Sequence, residues 1–160
     1  MLSALKIKRG DAGMSNKQLF QQQFSVTKVG YSIEADVRLL NKDLVVTLTG
    51  GNIPHIGGVL TYDGQTQQVE RIYFASHDGR RHKDMLLADR FFKDIKDDLP
   101  GSFCISAGVH LDGITAAQIQ ASFPMTDSLA QQVQQWLHSH KDNFQEPQYT
   151  THLHKEKKGY

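Results

Sequence analysis

Eight histidines are spread along the chain, and four of them fall where strands or helices should end. His55 sits in "TGGNIPHIGGVL" (Thr49 to Leu60), a glycine-rich loop after a strand-like run. His77 and His82 flank the entry to a long helix, and His110 closes an apolar strand, with Asp112 two residues on. Imidazole is one of the few side chains that ligates metal or moves protons near neutral pH. Should these ends meet at one rim, three of these four imidazoles and a carboxylate would make a non-thiolate site for zinc, iron, manganese or nickel. The plainer alternative is hydrogen bonding at strand ends. The other four, His138, His140, His152 and His154, fall on an exposed helix end and a polar tail, where solvation accounts for them.

The stretch "HDGRRHKD" adds an electrostatic argument. Helix N-termini favour acidic side chains, yet Arg80, Arg81 and Lys83 crowd this one. A bound anion would relieve the conflict, since guanidinium forks and free backbone N–H groups both suit a phosphate. Pairing with Asp78 and Asp84, or simple solvation, would also relieve it. No nucleophile signature, phosphate-binding loop or dinucleotide fingerprint is present, and Cys104 in "CISAG" reads as core strand.

What must hold these residues is a sheet backed by helices. "FQQQFSVTKVGYSIEADVRLL" alternates most clearly at Tyr31, Ile33, Ala35, Val37 and Leu39, predicting a hairpin that turns near Gly30. "LVVTLT", "GVLTY" and "VERIYFAS" predict three more strands, together an antiparallel meander. Met85, Ala88, Phe92, Ile95 and Leu99 place an apolar stripe on a helix ended by "PG". "SFCISAGVHL" is apolar enough for the sheet interior. "DGITAAQIQASF" predicts a short helix stopped at Pro124, and Thr126 or Asp127 would cap another over "SLAQQVQQWLHSH". The fold class is therefore α+β: a two-layer sandwich with a largely antiparallel sheet of five to six strands and two to three helices on one face. One domain spans 20–140, between a loosely ordered arm at 1–19 and a mobile polar tail at 141–160.

Composition removes several classes. The 160 residues carry 18 basic and 17 acidic side chains, a formal net charge of +1, so no global field recruits nucleic acid. A single cysteine excludes an internal disulfide and a thiolate-rich zinc site, and suits a reducing cytoplasm. No apolar run approaches the ~20 residues that span a bilayer, and the N-terminus lacks the apolar segment of a secretory signal.

"LVVTLTGGNIPHIGGVL", "GRRHKDMLLADRF" and "SAGVHLDGITAAQIQ", in this order, resemble the LpdD-like family of prenylated-flavin chaperones, across Asp43 to Phe123. The most specific parts are "PHIG" at Pro54 to Gly57 and "GVHLD" at Gly108 to Asp112. The helix entry departs from the family's proline-glycine-histidine-lysine-glutamate by carrying Arg80 and Arg81 before His82, Lys83 and Asp84. The resemblance implies binding of prenylated FMN and its delivery to, or maturation of, a prenylated-FMN-dependent decarboxylase of the gallate or hydroxybenzoate type. It carries over His55, His82, His110 and Asp112 as site residues. Around them we expect Gly51, Pro54, Gly57, Arg80, Arg81 and Lys83 to contact the cofactor, with a divalent metal on the three histidines bridging to the phosphate. The glycines would let the loop approach the cofactor and Pro54 would fix the angle of His55. A homodimer closing the open sheet face is expected. The competing readings are a metal-dependent hydrolase, with Asp112 or Asp84 as general base, and a structural subunit of the decarboxylase.

Overall fold

The computed structural model describes residues 20–76 and 83–149. The N-terminal arm, the stretch 77–82 and the tail from 150 onward lie outside the described residues. So do the expectations placed on His77, Arg80, Arg81, His82, His152 and His154.

The alternating segments form strands as their periodicity requires. β1 (Phe20–Lys28) and β2 (Tyr31–Leu40) pair antiparallel about Val29 and Gly30, whose φ angles of 45° and 82° give the two-residue turn that matches strand twist. β3 (Asp43–Gly51) continues the meander. Along β2 every second side chain, Tyr31 to Leu39, is buried, and Leu44, Val46 and Leu48 follow suit on β3.

The meander expected through five strands stops at β3. β4 (Gly58–Tyr62) and β5 (Val69–Tyr73) form a separate hairpin, and β6 (Phe103–His110) inserts between the two groups. The sheet order is β1-β2-β3-β6-β4-β5, with β6 parallel to β3 and antiparallel to β4. The interior place read for β6 holds, since Phe103, Ile105 and Ala107 are buried beneath the helices. The loop from β3 to β4 must therefore cross the end of β6. Glycines permit the crossing: a Cβ on Gly108 would lie 1.8 Å from the His55 carbonyl oxygen, and one on Gly51 1.9 Å from that of His110. Gly51 also has a φ of 78°, costly for any residue with a side chain.

Two helices cover one face. α1 (Met85–Ile95) buries Met85, Leu87, Ala88, Phe91, Phe92 and Ile95 against β4 and β6, and a 3-10 turn at Lys96–Asp98 precedes Pro100. α2 (Ala116–His138) packs on β1, β2 and α1. It is a single helix, which corrects the expected break: Pro124 lies inside it, and Thr126 and Asp127 are interior positions rather than caps. Thr115 starts the helix in a reciprocal capping box with Gln118. The Ser122 and Thr126 hydroxyls bond back to the carbonyls of Ile119 and Ser122, and Met125, Leu129, Ala130, Val133 and Leu137 are buried. That burial outweighs the roughly 3 kcal/mol an interior proline costs. The first part of the polar tail is tied to the domain: Asn41 exchanges two 2.8 Å hydrogen bonds with the Gln145 backbone, and Phe144 packs on the core.

Candidate functional site

The crossing loop carries His55 to the gap left where β4 ends short of β6. There its Nε2 lies 3.1 Å from Asp84 Oδ2, and its Nδ1 lies 3.2 Å from the Ile53 carbonyl oxygen. Asp84 immediately precedes α1 and is only 9% exposed, so its carboxylate needs partners. It has them in His55 and in the backbone N–H of Val109, which donates to Oδ1 at 3.2 Å. One buried carboxylate thus ties loop, helix start and strand end together.

His110, the last residue of β6, follows the same pairing outside. Its Nε2 is 2.9 Å from Asp112 Oδ1, and its side chain is half exposed. Asn52 grips Asp112 from across the β3–β6 ladder, where Gly51 is opposite His110. Its Nδ2 donates to Asp112 Oδ2 at 2.6 Å, and its Oδ1 accepts from the Asp112 backbone N–H at 3.0 Å. The Asn52 bond, and after it the His110 bond, hold the Asp112 carboxyl below the ordinary carboxylate range. The two imidazoles stand 6.5 Å apart between centroids, at 74° to each other.

The fold therefore brings His55, His110 and Asp112 to one rim, with Gly51, Pro54 and Gly57 in the segment that delivers His55. Gly57 is buried, donating to Ala107 O at 2.8 Å and accepting from Phe74 N at 3.0 Å. The close approach its neighbours allow is to the chain's own strand β6. Lys83 is exposed next to Asp84. Arg80, Arg81 and His82 lie outside the described residues. Among the described residues no group of three or more His, Cys, Asp or Glu is placed to hold a metal. His55 in particular has both ring nitrogens facing hydrogen-bond partners, which leaves no lone pair directed to a cation. The metal expected on His55, His82 and His110 thus finds no support in the described residues.

Two residues complete the site beyond those singled out in the sequence. Asp84 was read there only as an ion-pair partner or general base, and Asn52 not at all. Asn52's role depends on the β3–β6 register, which sets Gly51 opposite His110 and so brings Asn52 within reach of Asp112, and which no local pattern carries. Apolar side chains surround the polar cluster: Ile53, Ile56, Phe74 and Leu86 are between 44% and 58% exposed. Ile53 and Ile56 flank His55 in the loop, Phe74 is held to Gly57, and Leu86 is in the first turn of α1. Such a concentration of exposed apolar side chains beside paired charges is the usual signature of a binding surface.

No helix among the described residues is long and apolar enough to cross a membrane. A chain from a crystal structure of a chaperone complex for yeast 20S proteasome assembly is superposable at a TM-score of 0.46 with 9% identity, covering 74% of this chain and 97% of that one. That likeness is too low to draw a fold or a function from. The sequence comparisons are decisive. Protein LpdD of Lactiplantibacillus plantarum is 42% identical over 126 residues, covering 79% of this chain and 92% of the relative. Residues 27–138 match the family described as the prenylated flavin chaperone LpdD-like domain. The chain belongs to the prenylated flavin chaperone LpdD-like family.

Proposed function

We propose that this protein binds prenylated FMN at the rim formed by His55, His110 and Asp112 and passes it to a prenylated-FMN-dependent decarboxylase. The observation that carries the proposal is the meeting of the two histidines, each beside a carboxylate, within a fringe of exposed apolar side chains. A phosphorylated flavin has the matching two ends, an anionic phosphate and a broad apolar ring. His110 and Lys83 offer donors to the first, and Ile56, Phe74 and Leu86 offer surface to the second. The flavin supplies its chemistry in the decarboxylase; here the residues hold it and shield it.

The test uses the purified full chain and prenylated FMN in its reduced form, kept without oxygen. Wild type should take up the flavin, seen by absorbance after desalting, and activate an apo-decarboxylase faster than free flavin does. His110→Ala should lower uptake while the thermal transition stays in place. A folded protein that takes up no phosphorylated flavin refutes the proposal. Stable co-purification with the decarboxylase at fixed stoichiometry, without flavin, would make it a structural subunit instead.

A further inference from the structure

We propose that Asn52 is a positioning residue: it fixes Asp112, and through it the His110 ring, so that His110 presents Nδ1 to the ligand's phosphate. This rests on the flavin-nucleotide reading above. The hydrogen bonds around Asp112 assign the geometry. Asp112 uses Oδ1 for His110 Nε2 and Oδ2 for Asn52 Nδ2, so both oxygens of the carboxylate are held in place. Asn52 Oδ1 also holds the Asp112 backbone N–H, and the Asn52 backbone N–H donates to the His110 carbonyl at 2.9 Å. The amide thus clamps Asp112 by main chain and side chain together. Asp112 accepts only, so the Nε2 it faces bears the hydrogen. Nδ1, on the other side of the ring, makes no hydrogen bond among the described residues, and the ring is half exposed.

A phosphate offers only acceptor oxygens. A ring with one N–H on Asp112 and a second, at Nδ1, on a phosphate oxygen makes a charge-assisted bond on each side. Residues that orient a liganding histidine from behind commonly matter nearly as much as the histidine itself. Asn52 and Asp112 occupy that position, with Asn52 one step further from the ligand.

The experiment compares wild type with Asn52→Ala, Asp112→Ala and the double variant, and adds Asn52→Ser, whose hydroxyl retains an acceptor for the Asp112 backbone. Each binds prenylated FMN and the same flavin after enzymatic removal of its phosphate. Long-range nitrogen–proton spectra, assigned with His110→Gln, read the His110 tautomer without ligand. In wild type the ring should show hydrogen on Nε2, and in Asn52→Ala a mixture. Asn52→Ala should weaken prenylated FMN about tenfold, as losing support for one charged hydrogen bond implies, with the dephosphorylated flavin little changed. In the Asp112→Ala background the Asn52→Ala change should add nothing. Asn52→Ser should fall between wild type and Asn52→Ala; an unchanged tautomer in folded Asn52→Ala overturns the inference, as does an equal loss for both flavins. If wild type binds neither flavin, the functional reading falls, and the tautomer spectra still decide whether Asn52 positions His110.

Discussion

At the scale of single residues, the site is built by giving each imidazole a carboxylate and each carboxylate a second partner. Asp84 answers to His55 and to the Val109 N–H, and Asp112 to His110 and Asn52. The histidines and Asp112 were legible because imidazoles at strand ends are conspicuous among ordinary residues. Asn52 was not, because an asparagine in a loop looks like any turn former until the strands around it are in register. A second carboxylate pair, between the helices, makes a test of pH behaviour. Arg90 forks onto Asp127 at 2.5 and 2.7 Å and holds that carboxyl below its usual range. Burial, and then the bond to Asp127, push neighbouring Asp94 upward. A raised folded-state value means the native protein keeps the Asp94 proton to higher pH than the unfolded chain. Stability linked to Asp94 is therefore full in acid and falls as pH rises through the upper carboxylate range. Asp127 works the other way, stabilising above its unfolded value and losing that contribution as pH falls. Asp94→Asn should raise the melting temperature at pH 7, with the gain vanishing below about pH 4, near the ordinary carboxylate value; thermal scans across pH would show it, and a constant increment at every pH would refute it.

Among the elements, what the sequence disclosed and what it concealed divide by range. Alternation exposed the first hairpin, β-branched and aromatic runs between turn signals exposed β3 to β5, and the near-continuous apolar run of β6 disclosed that it is interior. Local chemistry misled at Pro124, because the packing that outweighs its cost lies on the opposite side of the helix and in other elements. The insertion of β6 between β3 and β4 is a long-range pairing with no local signal, and it gives the glycine-rich loop its purpose. The loop passes over β6 within van der Waals contact of Gly108, and this passage carries His55 to Asp84. Gly108→Ala should therefore disturb the site as well as the fold. Its added methyl meets the backbone at His55, which cannot turn aside as a side chain can, so a loss of about 3 kcal/mol, the upper end for overpacking, is expected in urea unfolding. Flavin uptake should fall with it. Gly113→Ala is the control: φ there is 63°, but nothing lies within 4 Å, so only local backbone strain of about 1 kcal/mol applies. Equal effects from the two substitutions would show that the crossing is not what Gly108 serves.

At the scale of the whole molecule, the two helices pack on one face of the sheet, and among the described residues no helix packs on the other. Val45, Thr47 and Thr49 of β3, Cys104 and Ser106 of β6 and Val59 of β4 lie there, half buried and uncharged. A two-fold contact sets the same patch against itself, so a charged centre would repel its copy, whereas this strip carries no formal charge. Glu34, Asp36 and Arg38 on β2 and Glu70 on β5 fall outside it, toward the edges. The homodimer expected from the sequence would join these faces and leave the outer fringe at Ile56, Phe74 and Leu86 open for the proposed flavin and the enzyme that would receive it. Thr47→Arg sets the two guanidinium groups of a dimer against each other at the centre of the strip. Light scattering at micromolar concentration should report a dimer for wild type and a monomer for Thr47→Arg, with flavin uptake per chain retained. A monomeric wild type would reject the two-fold contact. A variant that stays dimeric would place the contact on another surface, and loss of uptake with the dimer would mean that the second copy contributes to the site.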